Sequence, residues 1–197
     1  DQVFWLDSVV NVVAIGNPTT GEFKAIAGEL NRPMAVLMSK TEPKIYVAEY
    51  GAGQITEVSL SDGAKKVLVK GLEGPLALTF VDVTLYVAEG KLGRISKVDP
   101  ATGKAEVFIS GVIGKVGALA NDGKGNLLAL DGASGRLFRI NPENLAISVI
   151  AENLPVGYGA VGSYPGVEFP LPMTVNAKGN IYIPTADRGL IMLEKKK

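Results

Sequence analysis

The stretches KIYVAE, at residues 44–49, and TLYVAE, at residues 84–89, repeat one apolar pattern forty residues apart. Related pentads occur elsewhere in the chain, as VFWLD at 3–7, LLALD at 127–131 and IYIPT at 181–185. The last residues of the five pentads are separated by 42, 40, 42 and 54 positions. Each pentad is short and rich in β-branched, leucine and aromatic residues, so each predicts a buried β-strand rather than a helix.

Three further predicted strands accompany each pentad in a constant order. In the third unit, PLALTF at 75–80 precedes the pentad, Gly93-Arg94-Ile95 follows it, and the turn DPATG at 99–103 leads to EVFISG at 106–111. We name these strands a, b (the pentad), c and d. The Pro, Asp, Asn and Gly turns between them favour tight antiparallel hairpins, so each unit is predicted to be a four-stranded meander of about 42 residues.

A four-stranded sheet cannot bury both of its faces alone, and radial stacking of such sheets does so. The sequence therefore predicts an all-β fold, a single β-propeller domain over residues 1–197 with about five blades. A β-sandwich is the alternative. The first unit lacks strand a and the last lacks strand d, so we expect a piece of a longer, six-bladed propeller. Five imperfect blades, or a ring completed by a second chain, are the other interpretations.

Several local motifs resemble those of a known group. They are the proline that opens strand a, Lys-Gly-Asn before strand b, Gly-Arg-Ile in strand c and Asp-Pro-Ala-Thr-Gly in the turn. This pattern resembles the NHL-repeat propellers and their relatives in the senescence-marker/gluconolactonase group. The resemblance covers almost the whole chain. It implies the propeller fold but leaves function open, because such propellers include lactonases, lyases and binding modules.

Composition excludes several classes of function. The 20 basic and 20 acidic side chains cancel, and only Lys195-Lys196-Lys197 forms a basic block, so we expect neither nucleic acid nor anionic membrane as a partner. No apolar run is long enough to span a bilayer. The sequence contains no cysteine and no histidine, which excludes thiolate chemistry and any lyase or ester hydrolase that depends on histidine.

The resemblance also implies where a gluconolactonase-like enzyme would hold a divalent metal, at an Asn or Asp that begins strand a. In this chain those places read Arg32-Pro33, Gly74-Pro75, Val116-Gly117 and Leu171-Pro172, which offer no side-chain oxygen. We therefore expect no catalytic residue, no cofactor and no transition metal in this chain. The alternative is a metal-dependent hydrolase or lactonase whose essential residues lie outside it.

Four carboxylates share the last position of strand b: Asp7, Glu49, Glu89 and Asp131. One interpretation makes them calcium or magnesium ligands, because hard cations prefer oxygen donors. The other is structural, with each carboxylate accepting hydrogen bonds from backbone amides of its own b–c turn. The structural interpretation is favoured, because a residue present in nearly every unit serves a need that every unit has.

The segment NLPVGYGAVGSYPGVEFPLP, at 153–172, departs from the 42-residue period by about a dozen residues. It carries Tyr158, Tyr164 and Phe169 among Gly and Pro, a composition common at protein interfaces. A structural cover over an apolar edge is the alternative. We predict a non-catalytic binding or scaffold module, extracellular or periplasmic, that contacts a protein partner or a second copy of itself through this insert.

Overall fold

The computed structural model describes residues 3–156, 171–185 and 189–194, and it shows a β-propeller of five antiparallel sheets. Blade 1 contains β1 (Val3–Asp7), β2 (Val12–Asn17) and β3 (Glu22–Ala27). Blade 2 contains β4 (Pro33–Met38), β5 (Lys44–Glu49), β6 (Gln54–Ser59) and β7 (Lys65–Lys70). Blade 3 contains β8 (Pro75–Val81), β9 (Thr84–Glu89), β10 (Arg94–Val98) and β11 (Ala105–Ile109).

The remaining blades continue the series. Blade 4 contains β12 (Val116–Asn121), β13 (Leu127–Asp131), β14 (Arg136–Ile140) and β15 (Ile147–Ala151). Blade 5 contains β16 (Thr174–Val175), β17 (Ile181–Pro184) and β18 (Leu190–Leu193). The helical content of the described residues is one 3-10 turn, Gly90–Leu92. The predicted propeller is confirmed, with strands b, c and d in blade 1 and strands a, b and c in blade 5.

The a strands of consecutive blades lie side by side, and the blades pack face to face. We call the side of a blade that meets the preceding blade its rear face, and the side that meets the following blade its front face. Between blades 2 and 3, the front face contributes Tyr46, Ala48 and Ile55, and the rear face contributes Leu85 and Val87. Alternate residues of one strand thus enter two different cores, because successive side chains point to opposite sides of a sheet.

Every described d strand contains a β-bulge near its end. In blade 2 the register with strand c shifts between Ile55 and Thr56, which pair with Val69 and Val67, so Leu68 is the extra residue. Leu68 and Val69 both pack into the apolar cluster between blades 2 and 3. The corresponding pairs in the other blades are Ile26-Ala27, Phe108-Ile109 and Ile150-Ala151. The bulge explains why strand d ends in two adjacent apolar residues where simple alternation predicts one.

The end at which a blade's b–c turn lies also holds the loop to the next blade, because strands b and d run in the same direction. We call this the loop end of the propeller. The a–b and c–d turns lie at the opposite end. Among the described residues, no helix has the length and apolar character needed to cross a membrane.

Candidate functional site

The loop end is the candidate functional site, because it carries both the repeated carboxylates and the long insert. Glu49 lies at this end of blade 2 and is almost fully buried. Its Oε2 accepts a hydrogen bond from the backbone N–H of Asn31 at 2.6 Å, and its Oε1 accepts one from Gln54 Nε2 at 2.9 Å. The hydroxyl of Thr56 also donates to Oε1. Glu49 therefore ties strand b to strand c and to the loop that enters from blade 1.

Glu89 repeats this arrangement in blade 3 with a stronger set of donors. The backbone N–H of Glu73 donates to Oε2 at 2.6 Å, and Ser96 Oγ donates to Oε1 at 2.5 Å. Arg94 adds a bidentate ion pair, with Nε–Oε1 at 2.8 Å and Nη2–Oε2 at 2.9 Å. Glu89 is fully buried, so this pairing offsets the cost of removing its charge from water.

Asp131 makes the same connection in blade 4 with a shorter side chain. Its oxygens accept hydrogen bonds from the backbone N–H groups of Gly114 and Lys115 in the inter-blade loop, at 3.2 and 3.0 Å. They also accept from the Ala133 N–H and the Ser134 hydroxyl in its own b–c turn. Asn31, Glu73 and Lys115 are spaced 42 residues apart, so the backbone donor from the loop belongs to the repeat.

Asp7 differs from the other three carboxylates, because the described residues of blade 1 include no strand a and no inter-blade loop before it. Within the part of the chain that the structure describes, its Oδ1 accepts hydrogen bonds from its own b–c turn, from the N–H groups of Val9 at 2.9 Å and Val10 at 3.0 Å. The predicted own-turn contacts are thus present at Asp7 and at Asp131. At Glu49 and Glu89 the backbone donor lies instead in the inter-blade loop, because the longer side chain extends past its own turn.

The donors around these carboxylates favour their ionised form. Burial by itself raises the pKa of Glu89, but the hydrogen bonds from Arg94, Glu73 and Ser96 outweigh it and leave that pKa below its usual value. The pKa of Asp131 is also lowered, because the Ser134 hydroxyl and backbone amides outweigh the effect of burial. Among the described residues, no group of three or more acidic side chains is placed to hold a metal ion.

The insert at 153–172 begins and ends at the loop end. The Leu154 N–H donates to the Gly135 carbonyl at 3.0 Å, and the Leu171 N–H donates to the Gly117 carbonyl at 2.9 Å. Leu154, Val156 and Leu171 pack against the apolar cluster between blades 4 and 5. Both ends of the insert are therefore anchored to blade 4. The predicted binding residues Tyr158, Tyr164 and Phe169 lie outside the described residues.

The structure adds a cluster that the sequence analysis missed. Tyr50 follows Glu49 directly, is nearly buried and packs with Met34 and Leu76. The Arg32 guanidinium lies 5.0 Å from the Tyr50 ring centroid, and the Lys91 ammonium lies 5.2 Å from it. The only sequence signal for this cluster was the aromatic Tyr50 directly after the repeated Glu49. The two cations could not be assigned to it, because Arg32 comes from the loop before strand a and Lys91 from the next blade.

Exposed apolar side chains also occur at the loop end. Val9 and Val10 lie in the b–c turn of blade 1, Leu92 in that of blade 3, and Val112 in the loop between blades 3 and 4. All four are more than half exposed. The loop end therefore carries exposed large apolar residues as well as the two anchored ends of the insert.

No protein-family model and no curated protein matches the sequence. Solved structures do match it. A chain in the crystal structure of a nidogen/laminin complex is 16% identical, with a TM-score of 0.79 over 98% of this chain and 71% of that one. This chain has a β-propeller fold like that of the matched chain in the nidogen/laminin complex.

Two further solved structures are similar to this chain. Virginiamycin B lyase from Staphylococcus aureus is 12% identical, with a TM-score of 0.69 over 100% of this chain and 67% of that one. A structural genomics protein from Bacteroides thetaiotaomicron is 14% identical, with a TM-score of 0.74 over 98% of this chain and 52% of that one. At such identities the likeness shows the fold alone. The predicted relation to the senescence-marker/gluconolactonase group stays a prediction.

Proposed function

We propose that the protein is a non-catalytic binding module that recognises a protein partner, or a second copy of itself, with the loop end. The observation that carries the proposal is the insert at 153–172, which is anchored at both ends to blade 4 and carries Tyr158, Tyr164 and Phe169. Loops on a rigid scaffold are the usual place for recognition, and aromatic residues dominate binding energy at interfaces. The similarity to a chain from a nidogen/laminin complex supports a protein as the partner.

The chain's composition supports binding over catalysis. Another solved structure that the chain resembles, at 14% identity, is a histidine-to-alanine variant of virginiamycin B lyase described as catalytically inactive. The present sequence contains no histidine at all, so it offers no counterpart to the group whose loss inactivates that enzyme. Residues 1–197 therefore cannot carry out catalysis that depends on such a histidine.

The proposal also assigns a role to the repeated carboxylates. Glu49, Glu89 and Asp131 act as clamps that hold each inter-blade loop against strand b, and no calcium or magnesium site is needed to account for them. Each of these carboxylates already accepts three or four protein hydrogen bonds. A shift of more than about 2 °C in the melting temperature on adding 5 mM calcium or magnesium to chelator-treated protein would contradict this role, because binding to the native state stabilises it.

The binding proposal can be tested without knowing the partner. A random-peptide display library is selected against the wild-type protein, and the affinity of the selected peptides is measured for three proteins. These are the wild type, the triple variant Tyr158→Ser, Tyr164→Ser, Phe169→Ser, and the control double variant Val83→Ser, Leu145→Ser. Val83 and Leu145 are exposed apolar residues in turns at the opposite end.

We expect the triple variant to bind the selected peptides at least tenfold more weakly at an unchanged melting temperature, and the control to bind normally. If the partner is a second copy, self-association measured by sedimentation equilibrium should be weaker in the triple variant and unchanged in the control. Equal affinity of all three proteins rejects the proposal. Unfolding of the triple variant shows that the insert is a structural cover.

A further inference from the structure

Blade 2 carries an aromatic residue at a position where blades 3 and 4 carry glycine. The residue that follows the repeated carboxylate is Tyr50 in blade 2, Gly90 in blade 3 and Gly132 in blade 4. In each blade its N–H donates to a backbone carbonyl of the loop before strand a, which in blade 2 is that of Arg32 at 3.0 Å. The backbone arrangement is therefore the same in the three blades, and the fold does not require a ring at this position.

Arg32 is a second departure from the repeat in the same place. The residues that follow it at intervals of 42 are Gly74 and Val116. The φ of Arg32 is +50°, close to the +66° of Gly74, so both residues have a left-handed backbone. This conformation is unfavourable for a residue with a Cβ, and glycine adopts it freely. Blade 2 thus places an arginine where the backbone favours glycine, and strained residues of this kind cluster at functional sites.

Lys91 approaches the same ring from blade 3. A Cβ on Gly74 would lie 2.7 Å from Tyr50 Cε2 and 2.9 Å from Lys91 Cγ, so the ring edge and the lysine stem both rest against the Gly74 backbone. The Tyr50 ring centroid is 5.0 Å from the Arg32 guanidinium and 5.2 Å from the Lys91 ammonium, which places the two charges at most about 10 Å apart. A nearly buried ring therefore positions two cations of different blades.

The two positive charges are not neutralised by the protein. In the part of the chain that the structure describes, no carboxylate lies within ion-pair distance of Arg32 or Lys91. The two nearest clamp carboxylates are engaged elsewhere, Glu49 with amide and hydroxyl donors and Glu89 with Arg94. A cation–π contact attracts a cation to a ring but leaves its charge in place. An anion bound here would therefore relieve the repulsion between two like charges.

We infer that Arg32, Tyr50 and Lys91 form a recognition site for an acidic segment of a protein partner. We call these three residues the cation site. The inference rests on the proposed function, in which the loop end receives a protein, and it adds the charge of the segment that is received. The planar guanidinium of Arg32 matches an Asp or Glu carboxylate with two parallel hydrogen bonds, and the Lys91 ammonium adds a point charge. Because packing positions both cations before binding, less side-chain freedom is lost on association.

The surrounding charge favours a short acidic segment over a nucleic acid or an anionic membrane. The 20 basic and 20 acidic side chains of the chain cancel, whereas nucleic-acid affinity depends on many phosphate contacts. Exposed carboxylates lie in the inter-blade loops at the same end, at Glu29 and Glu73. An extended polyanion would meet these carboxylates, and a short segment can reach the two cations without doing so.

The experiment selects a random-peptide library in parallel against three proteins. They are the wild type, the charge-reversed variant Arg32→Glu, Lys91→Glu, and the control variant Lys70→Glu, Arg136→Glu. Lys70 and Arg136 are exposed cations at the same end, so the control changes the net charge by the same amount. We expect the wild type and the control to select peptides rich in Asp and Glu. The charge-reversed variant should select peptides rich in Lys and Arg.

The affinity of one acidic peptide is then compared with that of its Gln-substituted copy. The wild type should bind the acidic peptide at least about tenfold more tightly than the copy, because only the carboxylates pair with the cations. The variant Arg32→Gln, Lys91→Gln should bind both peptides within about twofold, which completes a double-mutant cycle. The wild-type comparison stands whether or not a variant folds.

Several outcomes overturn the inference. They are a wild-type selection without acidic excess or without any peptide, an equal loss of acidic preference in the charge-reversed variant and the control, and a single-stranded oligonucleotide that displaces the acidic peptide at equal or higher affinity. Neutral peptides that bind the triple insert variant more weakly support the proposed function and reject the cation site. Acidic peptides that depend on Arg32 and Lys91 but bind the triple insert variant normally support the cation site and reject the role of the insert.

Discussion

Leu137 and Leu190 are the same residue type at the same position of strand c, yet their environments are opposite. Leu137, in blade 4, is fully buried in the core shared with blade 5, and Leu190, in blade 5, is largely exposed. Each pairs with the equivalent residue of its strand b, Leu130 or Pro184, and Leu137 also pairs with Ala151 of strand d. The comparison shows that the sequence of a blade specifies two apolar faces. Whether each face is buried depends on whether another blade lies against it.

The carboxylates at the end of strand b also differ between an internal blade and blade 1. Glu89 in blade 3 joins a loop, a strand b and a strand c, whereas Asp7 in blade 1 holds only its own turn. Blades 2, 3 and 4 each have a preceding loop to clamp, and the described residues contain none before blade 1. Equivalent positions should therefore differ in their contribution to stability.

The largest expected effect is on the leucine pair. Leu137→Ala should lower the free energy of unfolding by about 2–5 kcal/mol, because it removes buried methyl groups and leaves a cavity. Leu190→Ala should change it by less than about 0.5 kcal/mol, because the side chain already faces water. Urea denaturation of both variants and the wild type measures the difference. Similar losses for the two variants would mean that Leu190 is covered in solution.

The glycines of the c–d turns give the next largest contrast. Gly21 has a φ of +73° and open space where a Cβ would lie, so Gly21→Ala should cost about 1–2 kcal/mol from the left-handed backbone alone. Gly63→Ala carries the same backbone cost, and its Cβ also meets the Ile26 carbonyl oxygen of blade 1, so we expect a further 1–3 kcal/mol. Thermal unfolding of the two variants compares them directly. Equal melting temperatures would show that the contact between blades 1 and 2 relaxes without cost.

Variants of the two carboxylates Glu89 and Asp7 should differ in their free energy of unfolding by a smaller amount. Glu89→Gln leaves the Arg94 charge without its anion, and we expect it to lower the free energy of unfolding by roughly 2–3 kcal/mol. Asp7→Asn keeps an oxygen acceptor for the same two turn amides, so its cost should stay below about 1 kcal/mol. Both variants are isosteric, which makes them matched controls for each other. A greater loss at Asp7 than at Glu89 contradicts the clamp.

The smallest expected effect is a pH dependence. The folded-state pKa of Glu89 lies below its usual value, so its contribution is present above the unfolded pKa of about 4.3 and is lost as pH falls through the folded pKa. The difference in unfolding free energy between wild type and Glu89→Gln should therefore shrink as the pH is lowered from 7 to 3. Urea denaturation at several pH values measures it, and a constant difference would show that the pairing does not depend on the carboxylate charge.

Most of the fold could be predicted from the sequence, because it rests on local patterns that recur. The strands at 45–49, 85–89 and 127–131 were located from the repeated apolar pentads, and the turns from Gly, Pro, Asp and Asn. The bulges in strand d were not predicted, although pairs such as Leu68-Val69 are visible in the sequence. A pair of adjacent apolar residues has several explanations until the partner strand shows which residue is unpaired.

The candidate site was predictable only in part. The sequence identified Glu89 as one of a repeated set and favoured a structural role for it. It could not identify Glu73 as the donor, because a backbone amide carries no sequence signal. The cluster of Arg32, Tyr50 and Lys91 was missed for a related reason: its members come from two blades and meet only after the blades pack.

By itself, the sequence determined the repeat, the strand order within each blade and the presence of two apolar faces on every sheet, because these depend on residues that are neighbours along the chain. Tertiary structure alone decided which face is covered, which loop each carboxylate clamps and where the series of blades ends in exposed Trp5 and Leu190. The physical reason is that burial and hydrogen bonding are properties of pairs of surfaces. Equivalent positions 42 residues apart, or 54 where the insert intervenes, acquire different energies once one of them has a neighbour and the other has none.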